Sequence, residues 1–189
     1  IFTHQATPES FAAARKSLDV RVAHGMTDVE WSSAYTINYY ARFKEADLAL
    51  QQIYTHLKTQ VHTNLWDNYQ GLFQIDGNLA STAGIAEMLL QSHAGYVEVL
   101  PALPADWATG NFKGLCARGG FVLDVYWKDA VLQKIEVFSR AGDTLHLVWK
   151  DKSITLPAKP GRRYRLILND GRWVVSDIAV LSANRKILK

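Results

Sequence analysis

Leu72-Phe73-Gln74-Ile75-Asp76-Gly77-Asn78, continuing into Leu79 to Ser92, marks a change of period in the chain. An apolar run hands a carboxylate, a glycine and an amide to a turn. A helical pattern follows, with Ala83, Ala86 and Leu90 recurring on one side and Ile85 and Leu89 beside them. Ala80, Ser81, Ala83 and Gly84 keep the first turns of that helix small, so another backbone or a ligand can come close. Upstream the sequence reads as helices. From about Gly95 it reads as strands. A polar triplet at such a seam is the first place to look for chemistry.

Thr7-Pro8-Glu9 predicts a helix start, with Phe11, Ala14, Leu18 and Val22 at helical spacing and His24-Gly25 as the stop. Arg15, Lys16 and Arg21 read as a solvated face or as partners of the helix's C-terminal dipole. A second helix, capped by Thr27 or Asp28, carries Val29, Trp31, Ala34, Tyr35, Ile37 and Ala41. With Tyr39-Tyr40 it is aromatic on more than one side, which predicts burial on both faces. A third runs from Glu45 or Ala46 to about Thr59 with Leu48, Ala49, Ile53 and Leu57 as its stripe. Val61 to Gly71 is a polar, aromatic loop containing His62, Trp66, Asp67, Asn68 and Tyr69.

Tyr96 to Leu100 alternates with period two. After a loop through Trp107 and Gly110 to Gly114, strands are expected at Leu115 to Arg118, Phe121 to Trp127, Leu132 to Ser139, Thr144 to Trp149, Ser153 to Leu156 and Tyr164 to Leu168. Their turns are rich in Gly, Asp and Asn, which fits an antiparallel sandwich. The tail from Val174 to Lys189 reads either as an added edge strand or as disorder. Helices first and strands afterwards predict an α+β chain of two regions, 1–94 and 95–189, rather than alternating βαβ units.

Composition excludes several classes. Hydrophobic residues make up 48% of the 189 and charged residues 21%, ordinary for a folded protein, and the formal charge is only +3. The densest basic cluster is Arg162-Arg163 with Arg165, too sparse for a nucleic-acid partner. No apolar run reaches membrane-spanning length, so no membrane partner is expected. The single cysteine, Cys116, rules out an intrachain disulfide and reads as a small buried hydrophobe. The six histidines are scattered, with no zinc spacing, and no phosphate loop or nucleophile turn is present. No metal or cofactor is therefore expected. His62 stands nearest the opening stretch. The first residue is Ile1, which suggests a processed chain or a piece of a longer protein.

Two readings of the seam stay open on the residues alone. Asp76 and Asn78 are ordinary helix-capping types, which explains both without function. Alternatively, Asp76 is a carboxylate held at a helix start, able to polarise an amide or a water. Trp31, Trp66, Tyr69 and Phe73 likewise divide between core packing and stacking on the apolar face of a sugar.

A resemblance bears on the choice. Gln74-Ile75-Asp76-Gly77-Asn78 with Thr82-Ala83-Gly84-Ile85-Ala86-Glu87-Met88-Leu89-Leu90-Gln91-Ser92-His93 resembles the C-terminal part of family 95 glycoside hydrolases. Ala6-Thr7-Pro8-Glu9, Trp31-Ser32 with Ala41-Arg42, Leu100-Pro101-Ala102-Leu103-Pro104 and Ala117-Arg118-Gly119-Gly120-Phe121 agree in the same order. The resemblance implies the last helices of an (α/α)6 barrel followed by an antiparallel, β-sandwich-like domain. It implies inverting hydrolysis of α-L-fucosyl, or in some members α-L-galactosyl, linkages in oligosaccharides, in an extracytoplasmic setting. Asp76 matches the aspartate that polarises the water-handling asparagines. Gln74, Asn78, Trp31 and Phe73 would bind the sugar. The glutamate acid and the asparagines lie upstream of Ile1 in the family's order, so the upstream part of the same enzyme would be required for activity. Leu79-Ala80-Ser81 departs from the usual Phe-Gly-Ala. The alternative is a non-catalytic fragment or a carbohydrate-binding or structural module.

Overall fold

A computed structural model describes residues 3–68 and 70–178. Four helices are followed by antiparallel strands, so the chain is α+β. It divides into two compact units, one of residues 1–94 and 98–107 and the other of residues 95–97 and 108–189.

In the helical unit α1 spans Pro8–Ala23, α2 Glu30–Arg42, α3 Ala46–Thr59 and α4 Ile75–Leu89. Leu18, Ile37, Tyr40, Ala41, Ala49, Leu50, Ile53, Met88 and Ala102 form its core. The side chains at the α2–α4 contact explain the small residues of α4. A Cβ at Gly84 would press on Ile37 and on Asn38 Nδ2, and that amide donates to Ala80 O (2.8 Å). Arg42 closes the far end with two bonds to Glu87, 2.5 and 3.0 Å long. A short hairpin of β1, Leu90–Gln91, and β2, Val97–Val99, follows, with Leu90 opposite Val99.

Several expectations are corrected here. Helix α2 is buried on one face only: Glu30, Ser33, Ala34, Thr36, Ile37, Tyr40 and Ala41 point inward. Trp31, Tyr35 and Tyr39, each four residues apart, form an exposed aromatic stripe. In α3 the buried stripe is Ala49, Leu50, Gln52, Ile53 and His56, while Leu48 and Leu57 are exposed. Arg15 is not simply solvated: its Nε donates to both oxygens of Glu45 at 2.8 Å, and its guanidinium lies over the Tyr40 and Phe43 rings.

In the strand unit β3 (Gly110–Ala117), β4 (Phe121–Lys128), β5 (Val131–Ser139), β8 (Arg163–Asn169) and β9 (Arg172–Ile178) form one antiparallel sheet in the order β3-β4-β5-β8-β9. β6 (Thr144–Trp149) and β7 (Lys152–Pro157) pair in a separate ladder, giving the two layers of a sandwich-like domain. Register follows the apolar alternation, with Leu123 opposite Val137, Ile135 opposite Leu166 and Val137 opposite Tyr164, all buried. A one-residue slip would turn this whole set outward.

β3 begins at Gly110, in a stretch expected to be loop; its Phe112 is buried, and a bulge before Leu115 absorbs the irregular spacing. Cys116 is exposed, not buried, because that bulge leaves it on the outer face between half-buried Leu115 and buried Ala117. The tail contributes an edge strand as far as Ile178, and 179–189 lies outside the described residues.

Candidate functional site

Helix α4 starts at Ile75, four residues before the expected Leu79. Gln74 is extended (φ −127°, ψ 114°) and holds the N-cap position without a side-chain capping bond, so Asp76-Gly77-Asn78 lies in the first helical turn rather than in a turn before it. Asp76 is exposed there, beside N–H groups that have no partner within the helix.

An open groove of about 710 Å³ is lined by Trp31, Tyr35, Phe73, Gln74, Ile75 and Asp76. The structure thus brings together four of the five expected site residues: Trp31, Phe73, Gln74 and Asp76. Its walls are aromatic. Trp31 meets Tyr35 edge-on, with ring centroids 5.5 Å apart, and Phe73 lies against Trp66 at 5.0 Å. Trp31 is 46% exposed, Phe73 49% and Trp66 57%. These three rings lie outside the core cluster of the described residues. Tyr69 lies outside the described residues. His62 is exposed and touches the site only through backbone bonds of its loop.

Asn78 is not in the groove. Its Oδ1 accepts from the Asp67 N–H at 3.0 Å, and its Nδ2 donates to Leu65 O at 2.8 Å. Both ends of the amide bond to backbone, so Asn78 fastens the loop to α4.

Beneath this loop lies a polar cluster that the residue pattern did not reveal. Glu30 and Asp67 are fully buried and His56 is 1% exposed. Neither carboxylate has a hydrogen-bond partner among the described residues. His56 Nε2 is 3.7 Å from Asp67 Oδ1, and His56 Nδ1 is 3.2 Å from Ser33 Oγ, which also accepts from Gln52 Nε2 at 2.9 Å. Burial pushes the Asp67 carboxyl up to about 6; the charge of Glu30 adds to this, and the Asn68 N–H opposes it. Burial also lowers His56, favouring the neutral ring. Gly77 fits this cluster because a Cβ there would overlap the Asp67 carboxylate. The glycine in the Asp-Gly-Asn triplet was the available clue: a helical glycine three residues past the cap signals a close approach.

Two family models match the chain. One, "Glycosyl hydrolase family 95 catalytic domain", covers residues 1–89, and the other, "Glycoside hydrolase family 95, C-terminal domain", covers residues 91–168. The chain belongs to glycoside hydrolase family 95. The groove of this family 95 chain falls within the segment matched by the catalytic-domain model. Among curated relatives, alpha-L-fucosidase 2 of Arabidopsis thaliana is 30% identical over 172 residues, which is 85% of this chain and 20% of that protein. Probable alpha-fucosidase A of Aspergillus niger is 27% identical over 113 residues, 53% of this chain and 14% of the relative. That of Aspergillus oryzae is 35% identical over 71 residues, 32% of this chain and 10% of the relative. The chain spans about a fifth of the length of the Arabidopsis enzyme. Among the described residues no group of three His, Cys, Asp or Glu is placed to hold a metal ion, and no helix is long and apolar enough to cross a membrane.

Proposed function

We propose that this chain contributes part of the sugar site of an inverting glycoside hydrolase acting on α-L-fucosyl linkages of oligosaccharides, with α-L-galactosyl linkages as the close alternative. The observation that carries this is the groove itself. Exposed aromatic faces and a single carboxylate, Asp76, line one open channel in a chain of this family. Sugar C–H faces stack on such rings, and a carboxylate beside them can polarise the group that activates water. Inversion needs an acid and a water-activating base on opposite sides of the sugar. Asp76 is the sole carboxylate among the lining residues; by the resemblance to the family, it takes the supporting role on the water side, with the proton donor supplied by residues outside these 189. Gln74 reaches the ligand from the helix cap, and Trp31 and Phe73 wall it.

In the same proposal residues 1–94 belong to the catalytic barrel and 95–189 to the C-terminal domain. The names of the curated relatives support the fucosyl substrate; an extracytoplasmic location rests on the sequence resemblance alone. The test is Asp76→Asn in the full-length enzyme, assayed on a fucosyl disaccharide. Turnover should fall about a hundredfold or more while binding of the sugar persists. Turnover within a factor of about two of the wild type would remove Asp76 from the reaction.

A further inference from the structure

Asp67 contributes nothing to the groove surface, yet it is the most constrained carboxylate near it. Its N–H is held by Asn78, and its chain neighbours Trp66 and Asn68 are tied to His62 N–H and to Gln60 O (2.8 and 2.7 Å). Val61 pairs with Asp67 as an antiparallel bridge. The loop is therefore folded back onto the end of α3, and its carboxylate is driven against the first turn of α4 at Gly77. That turn carries Asp76. The residue before Asp67, Trp66, lies against Phe73 on the groove wall.

We propose that Asp67 is a positioning residue for Asp76: its buried carboxylate, packed beside His56, fills the space left by Gly77 and so fixes both the helix turn bearing Asp76 and the aromatic wall opposite. This rests on the sugar-site reading above. The charged and titratable groups facing Asp67 are Glu30 from α2 and His56 from α3. Ser33 fixes one of the two ring nitrogens of the histidine. Ser33 accepts from Gln52 and gives its own proton to His56 Nδ1, which puts the ring proton on Nε2, 3.7 Å from Asp67 Oδ1 and beyond direct hydrogen-bond reach. A neutral donor then faces the Asp67 carboxylate, and the first-turn N–H groups of α4 favour its negative charge. Burying two carboxylates without partners is costly for folding alone. A function in holding the site gives a reason for the cluster to be there.

The test uses the full-length enzyme, with kcat and KM on a fucosyl disaccharide measured across pH and the folded fraction checked by circular dichroism. Asp67→Asn keeps the shape of the group and removes its ionisation. It should lower kcat about ten- to a hundredfold with KM little changed, the signature of a misplaced rather than missing contact, and should shift the acid limb of the kcat profile. His56→Gln, which keeps a neutral donor near Nε2, should stay close to wild type, whereas His56→Leu should follow Asp67→Asn; this pair decides the matter if Asp67→Asn does not fold. Asp67→Asn or His56→Leu with kcat, KM and pH profile unchanged would overturn the role. Asp76→Asn on the same enzyme separates the two ideas. If it leaves turnover intact, the sugar-site reading falls and takes the positioning role with it. If it abolishes turnover while Asp67→Asn and His56→Leu change nothing, only the positioning role falls.

Discussion

The helical unit and the strand unit handle polar groups in opposite ways. In the strand unit the ion pairs stay on the outer face. Arg165 meets Glu136 at 2.8 Å and Arg163 meets Asp124 at 3.2 Å, while the inner face is apolar throughout β4. In the helical unit Glu30, His56 and Asp67 are buried and two of the three have carboxylates without partners, while Trp31, Tyr35, Tyr39, Trp66 and Phe73 face out. The strand unit keeps its ionised groups out of the core, although it buries Ser139 and exposes Val131, Val174 and Val175. The helical unit breaks the ordinary rule of apolar inside and polar outside in both directions, and does so around the groove. Departures from local consistency concentrate where a protein has work beyond folding.

The largest effect should come from disturbing the strand unit. Ile135 is fully buried in the centre of the five-stranded sheet, with Val125 on one side and Leu166 on the other, both also fully buried. Ile135→Ala should cost about 2–5 kcal/mol, from lost transfer energy plus the cavity left behind. Thermal unfolding monitored at several pH values should show that loss as a constant offset, because no titrating group is involved. A loss that varied with pH, or one under about 1 kcal/mol, would contradict a tightly packed, purely apolar inner face.

That contrast also explains what could be read from the residues in advance. Phe121 to Trp127 announces a strand because every second residue is apolar and all of those are buried. The limits of α3 are legible for the same reason, although its inward face is not: His56 and Gln52 are buried where an apolar count would place Leu48 and Leu57. Apolar periodicity has no way to register a buried polar side chain, so Glu30, His56 and Asp67 stayed hidden. The start of β3 was missed because Gly110 looks like a breaker, yet the Trp127 ring lies where its Cβ would go. The groove was half legible. The Asp-Gly-Asn triplet marked the place, but only the coordinates separate Asp76, which faces the groove, from Asn78, which ties down the loop.

A middle-sized effect should appear only in the helical unit and only as a function of pH. The Asp67 carboxyl sits at about 6 in the folded chain against an ordinary 3.8, so the folded state favours its protonated form. Below 3.8 it is protonated in both states and carries no penalty. As pH rises towards about 6 the unfolded chain releases its proton first, and stability falls, by roughly 1–3 kcal/mol in total. His56 acts in the opposite sense: its lowered value means stability is present above its ordinary 6.5 and is lost as pH falls below it. Asp67→Asn isolates the first contribution. Chemical denaturation of wild type and variant from pH 4 to pH 7 should show the variant gaining relative to wild type as pH rises. A difference that stays flat, or runs the other way, would mean that the carboxyl is stabilised by a partner rather than penalised by burial.

The smallest effect belongs to the ion pairs of the strand unit. Arg162 and Asp177 make two bonds, one of 2.6 Å, but their side chains are 48% and 42% exposed. Water solvates both groups nearly as well as they solvate each other, and holding two long side chains in one geometry costs entropy. Asp177→Asn should therefore leave the melting temperature unchanged within scatter, and added salt should not alter that result. If the variant instead melted measurably earlier, the edge strand β9 would depend on this pair for its pairing with β8. The strand unit would then rely on specific polar contacts, as the helical unit does, and the contrast between the two would narrow to the buried cluster alone.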